Sequence, residues 1–308
     1  MKARTKEAWA AYLFLAPNFI GFLIFTSLPV LASLGFSLMD WDILSPAKWV
    51  GLGNFVKLLG FHWQEGKIVF NDPLFWHFLY NTLFLMLGIP IGMMASLAVA
   101  VAMNQKLKGI VFFRTIYFLP TISSGVAICI LWKWIYNPEF GLLNAAITNL
   151  GGWLHIPLIG PQWLSNPAWA KPALMLMSFW VGLGGYNMLL YLAALQGISR
   201  EFYEAADIDG ANGWQKFWKI TWPMISSTTF FIAIMSVIGG FQGGFMAARV
   251  MTGGGPHYAT TTLEYYIFMK LYDWQQVGYA AAIAWVLFVM IFIVTLVNYR
   301  YGGKLVHY

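Results

Sequence analysis

Charge is what this chain has least of. It carries 18 lysines and arginines and 12 aspartates and glutamates among 308 residues. An ordinary soluble domain is about a quarter charged, so a set this sparse does not cover a water-facing surface of this size. The net charge of +6 comes without any long basic run, which excludes a nucleic-acid partner. Cysteine is almost missing: Cys129 stands alone inside an apolar run, so no intramolecular disulfide forms. The five histidines at 62, 77, 155, 257 and 307 are scattered, without metal-ligand spacing or an acid–base constellation. No GxxxxGK[ST] phosphate loop occurs anywhere, so the chain has no nucleotide site of that kind.

What fills the space is apolar. Hydrophobic residues make up 59% and aromatics 18% of the chain, and the mean hydropathy is +0.65. Six runs are long enough to cross a bilayer as helices, at about 11–39, 75–103, 110–136, 171–196, 223–247 and 276–299. None alternates with the period of two that barrel strands require. The expectation is an all-α integral membrane protein, a single membrane domain over 1–308. The first run is about twice the length of a signal-peptide core, so we read it as a retained span. Eleven of the 18 lysines and arginines fall on one side when the N-terminus is placed inside. The positive-inside rule then puts both termini in the cytoplasm. The outer segments 40–74 and 137–170, rich in Trp, Pro, Gly and Asn, are expected to hold turns and short interfacial helices.

Between the fourth and fifth runs lies the polar stretch EAADIDGANGWQKFWKITWP, Glu204 to Pro223. Ser199 suits a helix N-cap with Glu201 in the first turn. Gly210 suits the residue just past a helix end. A second helix from Asn212 would place Trp214, Phe217, Trp218 and Thr221 on one face, and Pro223 fits the first turn of the next helix. The expectation is two short helices at 199–222, bent at Gly210. A passive interfacial helix is one reading. The acids Glu201, Glu204, Asp207 and Asp209 would be repelled by an anionic leaflet, whereas a protein groove would accept such a helix.

This stretch resembles the signature of permease subunits of ATP-binding-cassette importers: Glu-Ala-Ala, three residues, Gly, nine residues, then Ile-x-Leu-Pro. The chain supplies Glu204-Ala205-Ala206, Gly210, Ile220 and Pro223 at that spacing, with Trp222 in place of the usual leucine. FFRTIYFLPTISSGVAICILWKWIYNPEFGLLN (112–144), MTGGGPHYATTTLEYYI (251–267) and GYAAAIAW (278–285) resemble the carbohydrate-uptake group of that family. The resemblance covers nearly the whole chain. It implies the type I ABC importer permease fold in a bacterial or archaeal cytoplasmic membrane. It also implies that Glu204, Ala205, Ala206, Asp209, Gly210, Ala211, Ile220 and Pro223 couple the chain to a separate ATPase dimer. ATP and Mg would be bound there, and this chain would bind no cofactor and catalyse no reaction. A second, different permease and an extracellular solute-binding protein are the further implied partners, besides membrane lipid. The outer loop Gly253, Gly254, Gly255 and Pro256 would lie near the binding protein.

Ionisable residues are nearly absent from the middle of the runs, which argues against a proton path. For a solute there remain Trp180, Tyr186, Asn187, Gln242 and Tyr279, since amides and aromatic faces suit sugars. Helix–helix packing is the competing use of these residues. The expected solute is a sugar or related carbohydrate. A non-sugar such as glycerol phosphate, or a secondary ion-coupled carrier, is the alternative.

Overall fold

The computed structural model describes residues 2–105 and 108–302, with the side chains of 2–6 and 301 excepted. Lys106 and Lys304, which count toward orientation, lie outside the described residues. Among the described residues, five helices are long and apolar enough to cross a membrane: Glu7–Ser37, Pro73–Met103, Pro167–Gln196, Ser226–Thr252 and Val277–Arg300. Their large apolar side chains stay exposed, among them Phe14, Phe25, Phe231 and Phe292. Water-soluble monomers do not present apolar bands of this extent; lipid is the solvent they fit.

The run 110–136 departs from expectation. It is a bent pair, Ile110–Ile122 and Gly125–Ile135, at 100° to each other. Ser123 and Ser124 carry extended ψ values of 151° and 129° between the two. Two extended residues turn the helix axis sharply, yet small serines barely change the local hydropathy. The break is therefore invisible to a run-length reading.

The chain divides into two compact units. The first comprises Met1–Pro73 and Ile267–Phe288. In it the 7–37 helix ends where Asn54 donates to the carbonyls of Ser37 (2.9 Å) and Met39 (2.8 Å). The first is an orphan carbonyl of the helix end and the second lies just past its cap, and one buried amide satisfies both. The 40–74 segment also forms strands, which its composition did not predict. Met39–Asp40 pairs with Lys48–Trp49, and Phe61–Gln64 pairs with Lys67–Phe70, both antiparallel. Glu65 and Gly66 close the second hairpin with φ of 51° and 76°, the pair of positive angles that a two-residue type I′ turn demands. Trp285 donates to Ser33 Oγ at 3.2 Å, and the Gly278 N–H donates to the Trp41 carbonyl at 3.3 Å.

The second unit comprises Leu74–Tyr266 and Val289–Tyr308. One core joins Leu97, Ala100 and Met103 to Met188, Tyr191, Leu192 and Leu195, with Ile225 and Ile232 from the next helix. Another gathers Ile128, Cys129, Trp132 and Tyr136 against Ala173, Leu174, Met177 and Met251. The 167–196 helix breaks at Gly184–Gly185. A Cβ on Gly184 would collide with the Tyr117 backbone carbonyl, so only glycine lets the 110–122 helix cross this closely.

Candidate functional site

The polar stretch folds as its end signals direct. Ser199 Oγ accepts from the Glu201 N–H at 3.4 Å and starts the helix Arg200–Ile208. At the other end the Ala211 N–H donates to the Ala206 carbonyl (2.8 Å) and the Gly210 N–H to Asp207 (3.1 Å). This is a Schellman ending, with Gly210 at φ +74°, the left-handed position that glycine holds without a Cβ penalty. Asn212 then opens the next helix with a reciprocal capping box: its Oδ1 accepts from the Gln215 N–H, and Gln215 Oε1 accepts from its own N–H, both at 2.9 Å. The chain runs through Gly213–Lys216 and a widened turn, Phe217–Thr221, to Trp222–Met224. Pro223 sits in the first turn there.

The widened turn corrects one expectation. Trp222 donates its N–H to the Phe217 carbonyl, five residues back, and a π-type turn rotates the later residues out of the 3.6-residue register. Trp214, Phe217 and Trp218 still meet ring to ring at 5.3–6.4 Å, whereas Thr221 turns away from them to the buried side. Phe217, Ile220 and Tyr203 pack against the first core and Thr221 is buried, while Trp214, Trp218 and Trp222 remain exposed.

The first short helix is likewise two-faced. Glu201, Glu204, Ala205 and Ile208 point away from the protein, at helical spacings of three and four. Ile208 is 89% exposed. Tyr203 and Ala206 turn inward, so the two alanines of the signature occupy different sides. Asp209 caps the helix end and stays exposed with Gly210; Ala211 and Pro223 are partly covered.

The glycine-rich segment is a formed loop, not an open one. Gly253 and Gly254 take φ of +61° and +84°, and His257 and Tyr258 are also positive. The Gly255–Pro256 bond is cis. Thr260 and Thr261 are fully buried and donate to the Gly255 (2.9 Å) and Gly254 (3.1 Å) carbonyls. Gly253, His257 and Tyr258 form its exposed rim.

Beside it, the 73–103, 167–196 and 226–252 helices enclose a cavity of about 310 Å³ lined in part by Thr82, Ser178, Ser236 and Thr262. A neighbouring space of about 170 Å³ shares Ser178 and Ser236 and adds Asn187. Asn187 Nδ2 donates to Ser236 Oγ at 3.5 Å. Asn187 is the one of the five sequence candidates that reaches these spaces. Trp180 meets Trp132 edge-on at 5.7 Å and Tyr186 meets Phe118 at 5.8 Å; both are exposed, as is Gln242. Tyr279 belongs to the first unit, where its hydroxyl donates to Asp72 Oδ2 at 2.5 Å.

Sequence reasoning passed over the small hydroxyls and Glu264. Serines and threonines within apolar runs leave only a weak hydropathy signal. Glu264 is half-buried and accepts from the Phe245 N–H at 3.3 Å. Burial pushes its carboxyl above the usual range, and that hydrogen bond partly opposes the shift. A single acid in TTTLEYY, between apolar residues, was the available clue.

Residues 76–305 match the family described as binding-protein-dependent transport system inner membrane component. The chain is 34% identical to the probable ABC transporter permease protein YesP of Bacillus subtilis (strain 168), over 98% of this chain and 93% of that one. It is 35% identical to the lactose transport system permease protein LacF of Rhizobium radiobacter, over 94% and 92%. In fold it resembles a chain of the bacterial alginate ABC transporter, solved in complex with alginate pentasaccharide-bound periplasmic protein. The TM-score is 0.81 at 23% identity, covering 99% of this chain and 97% of that one. The chain belongs to the binding-protein-dependent transport system inner membrane components: it is a multi-pass ABC importer permease, not an enzyme.

Proposed function

We propose that this permease passes a neutral sugar or related polyol across a bacterial or archaeal cytoplasmic membrane, with both termini inside. The bent pair would count as one span among six. The observation that carries the solute class is the lining of the cavity: the hydroxyls of Ser178 and Ser236, beside Thr82 and Thr262, among apolar groups, with no charged side chain among the described lining residues. Ligand pockets start at about 300 Å³ and use few polar groups in an apolar wall. Hydroxyls both donate and accept, as a sugar's own hydroxyls require. A phosphate ester would need a cation or a set of N–H donors, which this lining does not supply.

The Arg200–Ile208 helix would dock through Glu201, Glu204, Ala205 and Ile208 into a groove of a separate ATPase dimer, where ATP and Mg are bound. Its outward apolar Ile208 beside acids and a small alanine supports that reading. A second permease would complete the pathway. The rim of the glycine-rich loop would meet an extracellular binding protein, a role supported by its preformed shape. Closure of the ATPase dimer would then drive alternation of the two permeases.

The test is purification of the tagged chain in mild detergent, identification of co-purifying chains, and uptake by the reconstituted assembly. Recovery of an ATPase and a second permease, with ATP-dependent uptake of a neutral sugar, is the expected outcome. Replacing Ser236 by Phe should then block uptake by filling the cavity. Purification alone with ATP-independent uptake would instead establish a secondary carrier.

A further inference from the structure

The docking helix is held by backbone hinges at both ends. Ser199 is extended (φ −60°, ψ 139°) at its start, and Gly210 is left-handed at its close. A force on its outer face would turn such a helix about those hinges unless side chains brace it. Among the described residues two side-chain bonds brace it to the segment that leads into the 226–252 helix. Tyr203 Oη lies 2.8 Å from Thr221 Oγ1, and Lys216 Nζ lies 2.6 Å from Asp207 Oδ1. Tyr203 and Asp207 are four residues apart and so share one side of the short helix.

The two braces are unequal. Asp207 is well exposed, and ion pairs in that setting contribute little. Thr221 is only 6% exposed, and Tyr203 packs with Phe217 and Ile220 against the core that contains Ile225 and Ile232. A hydrogen bond shielded from water is harder to exchange for solvent. Ile225, fully buried, is four residues beyond Thr221 and directly precedes Ser226, where the long helix begins. The hydroxyl pair is thus the water-shielded polar link between docking face and membrane helix.

We propose that Tyr203 and Thr221 are positioning residues for energy coupling: their hydroxyl–hydroxyl bond makes the docking helix and the 226–252 helix move as one body. Thr221 is buried, Tyr203 packs inward, and neither lines the two cavities. The proposal rests on the ATPase-docking reading above. It adds that docking alone is insufficient and that transmission is a separate, removable step.

The test uses the complete transporter in proteoliposomes with its ATPase, second permease and binding protein. Solute moved per ATP hydrolysed is measured beside recovery of the ATPase on the tagged permease. Tyr203→Phe and Thr221→Val should each retain the ATPase, yet lower the solute-to-ATP ratio about fivefold, the factor carried by loss of one typical hydrogen bond. The double variant should be no worse than either single, since both remove the same bond. Thr221→Ser, which keeps the hydroxyl, should restore the ratio. A wild-type ratio in both single variants overturns the proposal while leaving the importer reading intact. So does a loss that tracks dissociation of the ATPase, or additive losses in the double variant. A wild-type chain that transports without any ATPase overturns both.

Discussion

Asn81 gives both hydrogens of its side-chain amide to the glycine-rich loop, reaching the carbonyls of Tyr258 at 2.8 Å and Thr261 at 2.9 Å. The next residue continues the contact, with Thr82 Oγ1 accepting from the Leu263 N–H at 3.0 Å. A loop with four positive φ angles has no ladder of its own to satisfy its carbonyls. The 73–103 helix supplies that satisfaction from nearly 180 positions away in sequence. Asn81→Leu removes both donors and should speed amide exchange across 257–263 by about tenfold or more, each lost bond being worth about 1 kcal/mol. Exchange in the 167–196 helix should stay as it was, which hydrogen exchange with mass spectrometry would read directly.

A different origin is expected for damage at Gly210. A Cβ there would meet nothing within 4 Å, so the constraint is its positive φ alone. Left-handed backbone costs an L-residue about 1–2 kcal/mol, less for asparagine and more for a β-branched side chain. Gly210→Val should therefore lose ATPase recovery and coupled uptake while the chain still inserts in the membrane. Gly210→Asn should retain most of both. Equal behaviour of the two variants would show that the Schellman ending does not set the docking geometry.

Lys270 supplies a pH dependence. Burial lowers its ammonium to about 8, opposed by the negative charge of Asp72 and reinforced by Lys57. Its Nζ donates to Gln276 Oε1 at 2.9 Å and lies 4.2 Å from the Trp274 ring centre. In the unfolded chain a lysine titrates near 10.5. Between pH 8 and 10.5 the unfolded state therefore binds more protons, and stability rises with pH across that window. Below pH 8 both states are protonated and the burial penalty is constant. The melting temperature of the wild type should climb relative to Lys270→Met from pH 8 to 10 and run parallel to it from pH 6 to 7.5.

Tyr136 anchors the bent pair to the 167–196 helix. Its hydroxyl donates to the Ala173 carbonyl at 2.6 Å from a fully buried position. Tyr136→Phe keeps the ring contacts with Trp132 and Trp163 and loses the bond. Stability should fall by about 1 kcal/mol, measurable by thermal unfolding in detergent, with uptake per folded transporter unchanged.

Much of the architecture was legible because membrane helices obey short-range rules. Runs near 20 apolar residues report spans, and Ser199, Gly210 and Asn212 report helix ends through bonds made within a few residues. The departures involve signals that composition averages away. The hairpin at 61–70 hinges on two residues, Glu65 and Gly66, and the 100° bend on two serines. The shifted face after Phe217 comes from one inserted residue in a turn. Of the five residues suggested for a solute path, Asn187 lines one of the two spaces and the other four line neither, since polarity within a run does not encode which way a helix is rotated.

What the amino-acid order determined by itself is therefore local: where the chain is apolar enough for lipid, where each short helix of the 199–222 segment begins and stops, and the spacing Glu204 to Pro223 that marks its family. What only the tertiary structure decided is which side chains come together across long separations: Asn81 with the loop at 258–261, Tyr279 with Asp72, Tyr203 with Thr221, and Ser178 and Ser236 as walls of one cavity. The physical reason is range. Capping and hydropathy act through neighbours along the chain, whereas a hydroxyl or amide finds its partner only after packing has set the rotation and crossing of whole helices.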